Sequence, residues 1–251
     1  MSMYKYRIDN TIITSEEWKA LVRAISHERG FSRMCGDEKE HDMLLDLQVK
    51  MMTHSVWIDT PETEEGMGLF FTSDHHFGHA NIIRYCDRPF SSTEEMEEEM
   101  SRKWNEIVGP KDIVYHLGDF TLGGLEDAMR YFSMLNGEVR ILDGTTHHDS
   151  RWMDDAYSMA KPIGTKTNHV LTLSRMTVLE RVAEVPIVLC HFPFAIWDRK
   201  HYGAIHLHGH SHCQYQAPGR IMDVGVDCND FYPVSLEQVL EKTLPIKEGL
   251  L

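Results

Sequence analysis

The chain has 251 residues, 42% of them hydrophobic, and its 39 acidic side chains outnumber 25 basic ones to give a formal net charge of −14. That length suits one large α/β domain with a small appendage, and no apolar run approaches the roughly 18 residues of a membrane span. The acidic balance speaks against a broad electrostatic grip on nucleic-acid backbone, which needs clustered Lys and Arg; a small anion held through metal fits it better.

The N-terminal Met1-Ser2-Met3-Tyr4-Lys5-Tyr6 carries no secretory signal pattern, so a cytoplasmic location is expected. Thr14 and Glu17 have capping-box spacing, and Trp18, Leu21, Val22 and Ile25 follow at helical period before Gly30. Met43, Leu44, Leu47 and Met51 predict a second helix, and Pro61 to Gly66 reads as a polar linker. Residues 1–66 are therefore expected to form a helical N-terminal extension with its linker, docked on a main domain of residues 67–251.

From Leu69 strand and helix alternate. Leu69-Phe70-Phe71 predicts a short buried strand ending at Asp74, and a Ser92/Glu95 capping box opens a helix with Met96, Met100, Trp104 and Ile107 on its apolar face. Ile113-Val114-Tyr115 is the next strand, Leu125, Ala128, Met129 and Phe132 mark a helix, and Val139 to Leu142 forms another strand. Further strands are expected at Val170 to Leu173, Thr177 to Val182, Pro186 to Cys190, Ile205 to His208 and Ile221 to Val226, with a helix after Ser235. This pattern predicts an α/β fold of two packed mixed β-sheets flanked by helices.

Cys35, Cys86, Cys190, Cys213 and Cys228 are odd in number and contain no Cys-x-x-Cys pair. Reduced thiols are expected, with neither a disulfide framework nor a thiolate zinc site.

The chemistry-bearing residues fall where predicted strands give way to loops: Asp74-x-His76, Gly118-Asp119, His191 and Gly209-His210-Ser211-His212. Carboxylate and imidazole suit a pair of divalent ions if one carboxylate bridges them, and Asp119 is the natural bridge. Asp74 and His76 alternate by two, as do His210 and His212, so strand geometry would put each pair on one face. Each motif alone is weak, but their order along an α/β chain makes the set specific.

With Phe71 to His79, Arg88-Pro89-Phe90, Val114 to Asp119, Leu189 to Pro193, His206 to His212 and Asp223 to Asp227, the chain from about Leu69 to Leu240 resembles the calcineurin-like metallophosphoesterases of the compact bacterial and phage type. The resemblance implies that Asp74, His76, Asp119 and His212 hold one metal ion. Asp119, His191 and His210 would hold the other, together with an Asn from a Gly-Asn-His-Asp block. This chain has Gly144-Thr145-Thr146-His147-His148-Asp149 there. Anchoring on His148-Asp149 makes His147 the replacement ligand and His148, oriented by Asp149, the catalytic acid; anchoring on Gly144 instead puts Thr145 and Thr146 at those positions.

Two divalent ions are implied, manganese foremost, with iron, zinc, nickel or magnesium as alternatives. The expected activity is phosphoester hydrolysis by activated water. His79, Asn81 and Arg88 are expected to bind substrate, with Arg84 beside them, and Trp152, Tyr157, Phe194, Trp197 and Tyr202 could stack on a base. A 5′-mononucleotide or deoxynucleotide is the first choice of substrate. Cyclic nucleotides or other phosphodiesters, a nuclease substrate, or a non-catalytic binding scaffold with an impaired second metal site are the alternatives.

Overall fold

The computed structural model describes residues 5–8, 11–14, 56–58, 66–142, 147–158, 170–173, 176–179 and 185–244. The strands are β1 (Lys5–Ile8), β2 (Thr11–Thr14), β3 (Val56–Ile58), β4 (Leu69–Thr72), β5 (Ile113–His116), β6 (Glu138–Leu142), β7 (Val170–Leu173), β8 (Met176–Leu179), β9 (Ile187–Cys190), β10 (Ile205–His208), β11 (Ile221–Asp223) and β12 (Val234–Ser235). The α-helices are α1 (Ala80–Tyr85), α2 (Thr93–Ile107), α3 (Leu125–Ser133), α4 (His147–Ser158) and α5 (Leu236–Thr243).

Two mixed sheets form. The five-stranded sheet runs β12-β4-β5-β6-β7, parallel except for its β12 edge, and the seven-stranded sheet runs β11-β10-β9-β8-β3-β1-β2. Phe71, Tyr115 and Leu142 of the first sheet meet Leu179, Ile187, Leu189, Ile205 and Leu207 of the second in one buried cluster. On the outer face of the five-stranded sheet, Val114, Val139 and Ile141 pack under Met96, Met100 and Trp104 of α2, Phe132 of α3 and Trp152 of α4. β5, β9 and β10 are buried at every position and β4 at all but Phe70, which explains the apolar Leu-Phe-Phe, Ile-Val-Tyr and Ile-Val-Leu runs of β4, β5 and β9, while β10 buries His206 and His208 beside its apolar residues.

Two helices start where the sequence marks them, whereas α1 and α4 were not expected from the sequence. Ser92 caps α2 by accepting from the Glu95 amide at 3.2 Å, although the Glu95 carboxylate reaches back to the Ser91 amide instead of Ser92. Ser235 caps α5 in a full capping box with Gln238. Ile107, expected on the buried face of α2, is 38% exposed, and Val108, just past the helix end, is buried in its place.

The extension departs from expectation. β1, β2 and β3 lengthen the seven-stranded sheet through parallel pairing of β3 with β8, so this part of residues 1–66 is strand and not helix. Thr-Ile-Ile-Thr and Val-Trp-Ile are β-branched or aromatic runs, and β8 would otherwise leave a sheet edge open. Thr14, expected as a helix cap, is the last residue of β2. The two expected helices that follow Thr14, and the linker before Gly66, lie outside the described residues. Among the described residues no helix is long and apolar enough to cross a membrane.

Candidate metal centre

β4, β5 and β6 are adjacent and parallel, as are β9, β10 and β11. Their carboxyl ends deliver Asp74 and His76, Asp119, His148, His191, His210 and His212, and finally Asp227 to one rim, the usual place for a ligand in an α/β sheet. Hydrogen bonds continue past the strand ends: Asp74 N donates to Gly118 O at 3.0 Å and His76 N to Asp119 O at 2.9 Å. Val226 N donates to Ser73 O at 3.0 Å and stitches the two sheets together at the rim.

The donors arrive on turns, not by strand alternation. Asp74, His76, Asp119, His210 and His212 have φ of 63°, 52°, 56°, 65° and 43°, in the left-handed region that non-glycine residues rarely adopt. The expectation that i and i+2 share a strand face is therefore replaced by a different device: β4 ends at Thr72 and β10 at His208, and left-handed turns aim the side chains. Such backbone persists where surrounding bonds over-determine it, and it gathers at functional sites. Gly209 is required here, because a Cβ would collide with the Ser73 hydroxyl and the Asp74 carboxylate. That close approach lets His210 N donate to Asp74 Oδ2 at 3.0 Å.

Among the described residues, four groups of His, Cys and carboxylate side chains have ligand atoms within 4.8 Å of one another. Two combine the strand-end donors, Asp74 with His76 and His212, and Asp119 with His191 and His210; the others are His76 with His79 and His148, and His212 with Cys86 and Asp227. Asp119 sits between the two strand-end groups, its Oδ2 3.5 Å from His76 Nε2, 3.6 Å from His191 Nε2 and 4.0 Å from His148 Nε2. Asp74 Oδ1 is 4.0 Å from Nε2 of both His76 and His212.

These atoms fit cations. Buried polar atoms are normally hydrogen-bonded, yet Asp119 Oδ1, both ring nitrogens of His76 and Nε2 of His191 have no hydrogen-bond partner among the described residues. Burial, helped by the neighbouring His148, holds the His76 imidazole well below its ordinary pKa, and burial takes His191 down to about 4 against the pull of Asp119. Both rings are thus neutral at physiological pH, with lone pairs available. Burial pushes the Asp74 carboxyl up to about 8, the Asp119 and Asp223 charges adding to it and His212 opposing it. A carboxylate that is costly to ionise in isolation is stabilised when a cation shares the pocket.

His75 shows the selectivity of the turn. It adjoins His76 in sequence but faces the helical layer, its Nδ1 2.9 Å from Nε2 of His116 and its ring against Phe77, Trp104 and Phe120.

The remaining site residues divide. His148 enters the centre edge-on to His76, with ring centroids 4.7 Å apart. Asp149 does not orient it: the buried carboxylate accepts from Phe120 N at 3.1 Å, Thr121 N at 3.2 Å and the Trp152 indole at 2.9 Å. It therefore braces the chain beside Asp119, because those amides offer the nearest donors to a desolvated carboxylate, whose pKa burial raises to about 7. His147 starts α4, and its side chain lies outside the described residues, as do Gly144, Thr145 and Thr146.

His79 stands 5.6 Å from the rings of both His76 and His148, and Asn81 is exposed nearby on α1. Arg88 is a correction. It is 4% exposed and bonds the Asp74 and His75 carbonyls and both oxygens of Asp227, so it is not open to a substrate phosphate. Trp152 and Trp197 are core residues, and Phe194 stacks on His206. Tyr202 is exposed, Arg84 is exposed on α1, and the Tyr157 side chain lies outside the described residues.

Sequence patterning alone gives no role to Asp223 or Asp227, whose only signal is their place in Asp-Val-Gly-Val-Asp at the end of a strand. Asp223 Oδ1 accepts from Gly225 N at 2.8 Å, and its Oδ2 accepts from the Ser211 hydroxyl, which fixes the loop between His210 and His212. Asp227 accepts from His212 Nδ1 at 2.6 Å. The expectation of reduced thiols also fails at one pair: Cys213 and Cys228, 15 residues apart, form a disulfide because β10 and β11 run side by side and bring their following loops together. Cys86 and Cys190 are free thiols.

No protein-family model matches the chain. In three-dimensional shape it is similar to the crystal structure of the protein of unknown function AQ665 from Aquifex aeolicus, with a TM-score of 0.51 and 23% identity over 70% of this chain and 99% of that one. That likeness concerns the fold alone. The Gene 66 protein of Mycobacterium phage D29 is 28% identical over 201 residues, 72% of this chain and 98% of the phage protein. The protein MJ1445 of Methanocaldococcus jannaschii, described as uncharacterized, is 30% identical over 182 residues, 69% of this chain and 89% of its own length. At that identity and coverage, the chain belongs to the family of MJ1445.

Proposed function

We propose that the protein is a metal-dependent phosphoester hydrolase with a dinuclear centre, acting on a small phosphorylated substrate, with a 5′-mononucleotide or deoxynucleotide first among the candidates. The observation that carries this reading is Asp119: its Oδ2 stands within 3.6 Å of Nε2 of both His76 and His191, one from each donor group. A single carboxylate so placed can serve two cations. Asp74, His76 and His212 would hold one ion with Asp119, and His191 and His210 the other.

Two divalent ions at such a centre supply Lewis acidity toward phosphoryl oxygens and lower the pKa of water. The chain's own residues contribute placement and proton handling. Neutral His76 and His191 direct lone pairs inward, Asp149 holds the backbone after Asp119, and His210 and Phe192 sit at the exposed side where a substrate can enter. His148 and His79 flank His76, and the half-buried His148 is placed to donate a proton to a departing oxygen or to bind a phosphoryl oxygen.

The test is a screen of purified full-length chain, stripped of metal and reloaded with manganese, iron, zinc, nickel or magnesium, against mononucleotides, cyclic nucleotides, aryl mono- and diesters and DNA. Metal-dependent release of phosphate from a monoester is expected. Two bound ions with no hydrolysis across the panel would favour a binding scaffold, and cleavage confined to diesters or DNA would replace the monoesterase reading.

A further inference from the structure

The side chains behind His212 form a closed set of bonds. Arg88 Nε donates to Asp227 Oδ1 at 2.8 Å and Nη2 to Oδ2 at 2.9 Å, a bidentate pairing that a planar guanidinium favours. Nη2 also donates to the Asp74 carbonyl at 2.7 Å, and Nη1 to the His75 carbonyl at 2.8 Å, with Met96 Sδ at 3.4 Å. All five guanidinium hydrogens have partners, so this buried Arg serves the protein and not a ligand. On the far side, Asp227 Oδ2 faces His212 Nδ1 at 2.6 Å. An ionised carboxylate only accepts, so Nδ1 carries the proton, and the Nε2 lone pair is left directed toward Asp74.

We infer that Arg88 and Asp227 are positioning residues of the metal centre: Asp227 fixes His212 as its Nδ1–H tautomer with Nε2 free to ligate, and Arg88 locks Asp227 while clamping the Asp74–His75 turn. The inference rests on the metal-centre reading above. One guanidinium thereby ties the donors that follow β4 to the donor that follows β10, across the two sheets. Partners of this outer kind orient a ligating imidazole and raise its basicity, and losing one typically costs about 10–100-fold in metal affinity.

The test has two readouts that do not depend on turnover. Long-range proton–nitrogen NMR on the metal-free chain, with the His212 ring neutral, is expected to show the proton on Nδ1 in the wild type; a proton on Nε2 would overturn the inference. Manganese affinity is then measured for Asp227→Asn alone and in a His212→Ala background. Asp227→Asn is expected to weaken binding about 10–100-fold when His212 is present and by less than about twofold when it is absent, since coupled partners are non-additive. Equal losses in the two backgrounds would mean a merely structural role and would overturn it too. Arg88→Lys keeps the charge but loses the fork, and is expected to recover only part of the loss caused by Arg88→Ala; full recovery would contradict the clamp. A chain that bound no metal would overturn the proposed activity, and the tautomer would still decide the positioning role.

Discussion

The two halves of the centre are built from similar donors but held differently. Around Asp74, His76 and His212, the supports are charged: buried Arg88 and half-buried Asp227 stand behind the imidazole, and the His210 amide and Gly209 close on the carboxylate. Around Asp119, His191 and His210, Asp149 braces the carboxylate through backbone amides, but His210 is exposed and its ring meets Phe192 and His191 edge-on. Under the proposed metal-centre reading, the contrast gives the tighter grip on a cation to the first half and the opening to solvent to the second.

The largest expected effect ignores that division. Asp119→Asn removes the donor between the halves and should eliminate metal-dependent turnover, well beyond the ~100-fold that losing an outer partner costs; substantial residual activity would dissolve the shared centre. His148→Gln should leave both ions bound and lower turnover by ~10²–10⁴-fold, the usual contribution of a positioned acid or base. A loss of metal stoichiometry instead would make His148 a ligand.

Next comes the comparison itself. His212→Ala should reduce manganese affinity more than His210→Ala does, as read by titration calorimetry, because the His212 ring is held from behind by Asp227 whereas His210 is exposed; the reverse order would invert the assignment of grip and access. Proton linkage should also favour the first half. With a folded pKa of about 8 against an ordinary carboxylate value near ~3.9, metal-free Asp74 takes up a proton on folding between those limits. Its contribution to stability is thus full below about pH 4 and is lost as pH rises through about 8. A cation displaces that proton, so thermal stabilisation by a fixed free manganese concentration should grow from pH 6 to pH 8. Stabilisation that shrinks over that range would show that Asp74 is not the proton-linked ligand. The smallest effect is a control at a residue outside both donor groups: Ser92→Ala removes the α2 cap and should cost about 1 kcal/mol in stability with manganese affinity unchanged.

The same contrast explains what could be read from sequence. The donors were legible because each follows a strand end, and two of those strands are strongly marked: Leu69 to Phe71 and Ile113 to Tyr115 are apolar runs, whereas Ile205 to His208 alternates apolar residues with buried imidazoles. Their delivery was not legible, since the left-handed turns at Asp74, His76 and Asp119 depend on bonds from the loop after β4 to Gly118 and Asp119, more than 40 residues along the chain. Arg88 reads as a phosphate binder by type, and only burial against Asp227, 139 residues away, reveals its other role. The strands of residues 5–14 and 56–58 escaped because the helical periodicity between them dominates that stretch, whereas pairing with β8 is a tertiary fact. Likewise the Cys213–Cys228 bridge follows from β10 lying beside β11, and no spacing rule encodes it.

Manganese stoichiometry of the full chain, measured for the wild type and for Asp119→Asn in parallel, tests the central claim most directly. Two ions per wild-type chain, with binding at both positions weakened together by Asp119→Asn, is the expected result. A single ion in the wild type, or two ions whose binding is indifferent to Asp119→Asn, would contradict a centre built around that shared carboxylate.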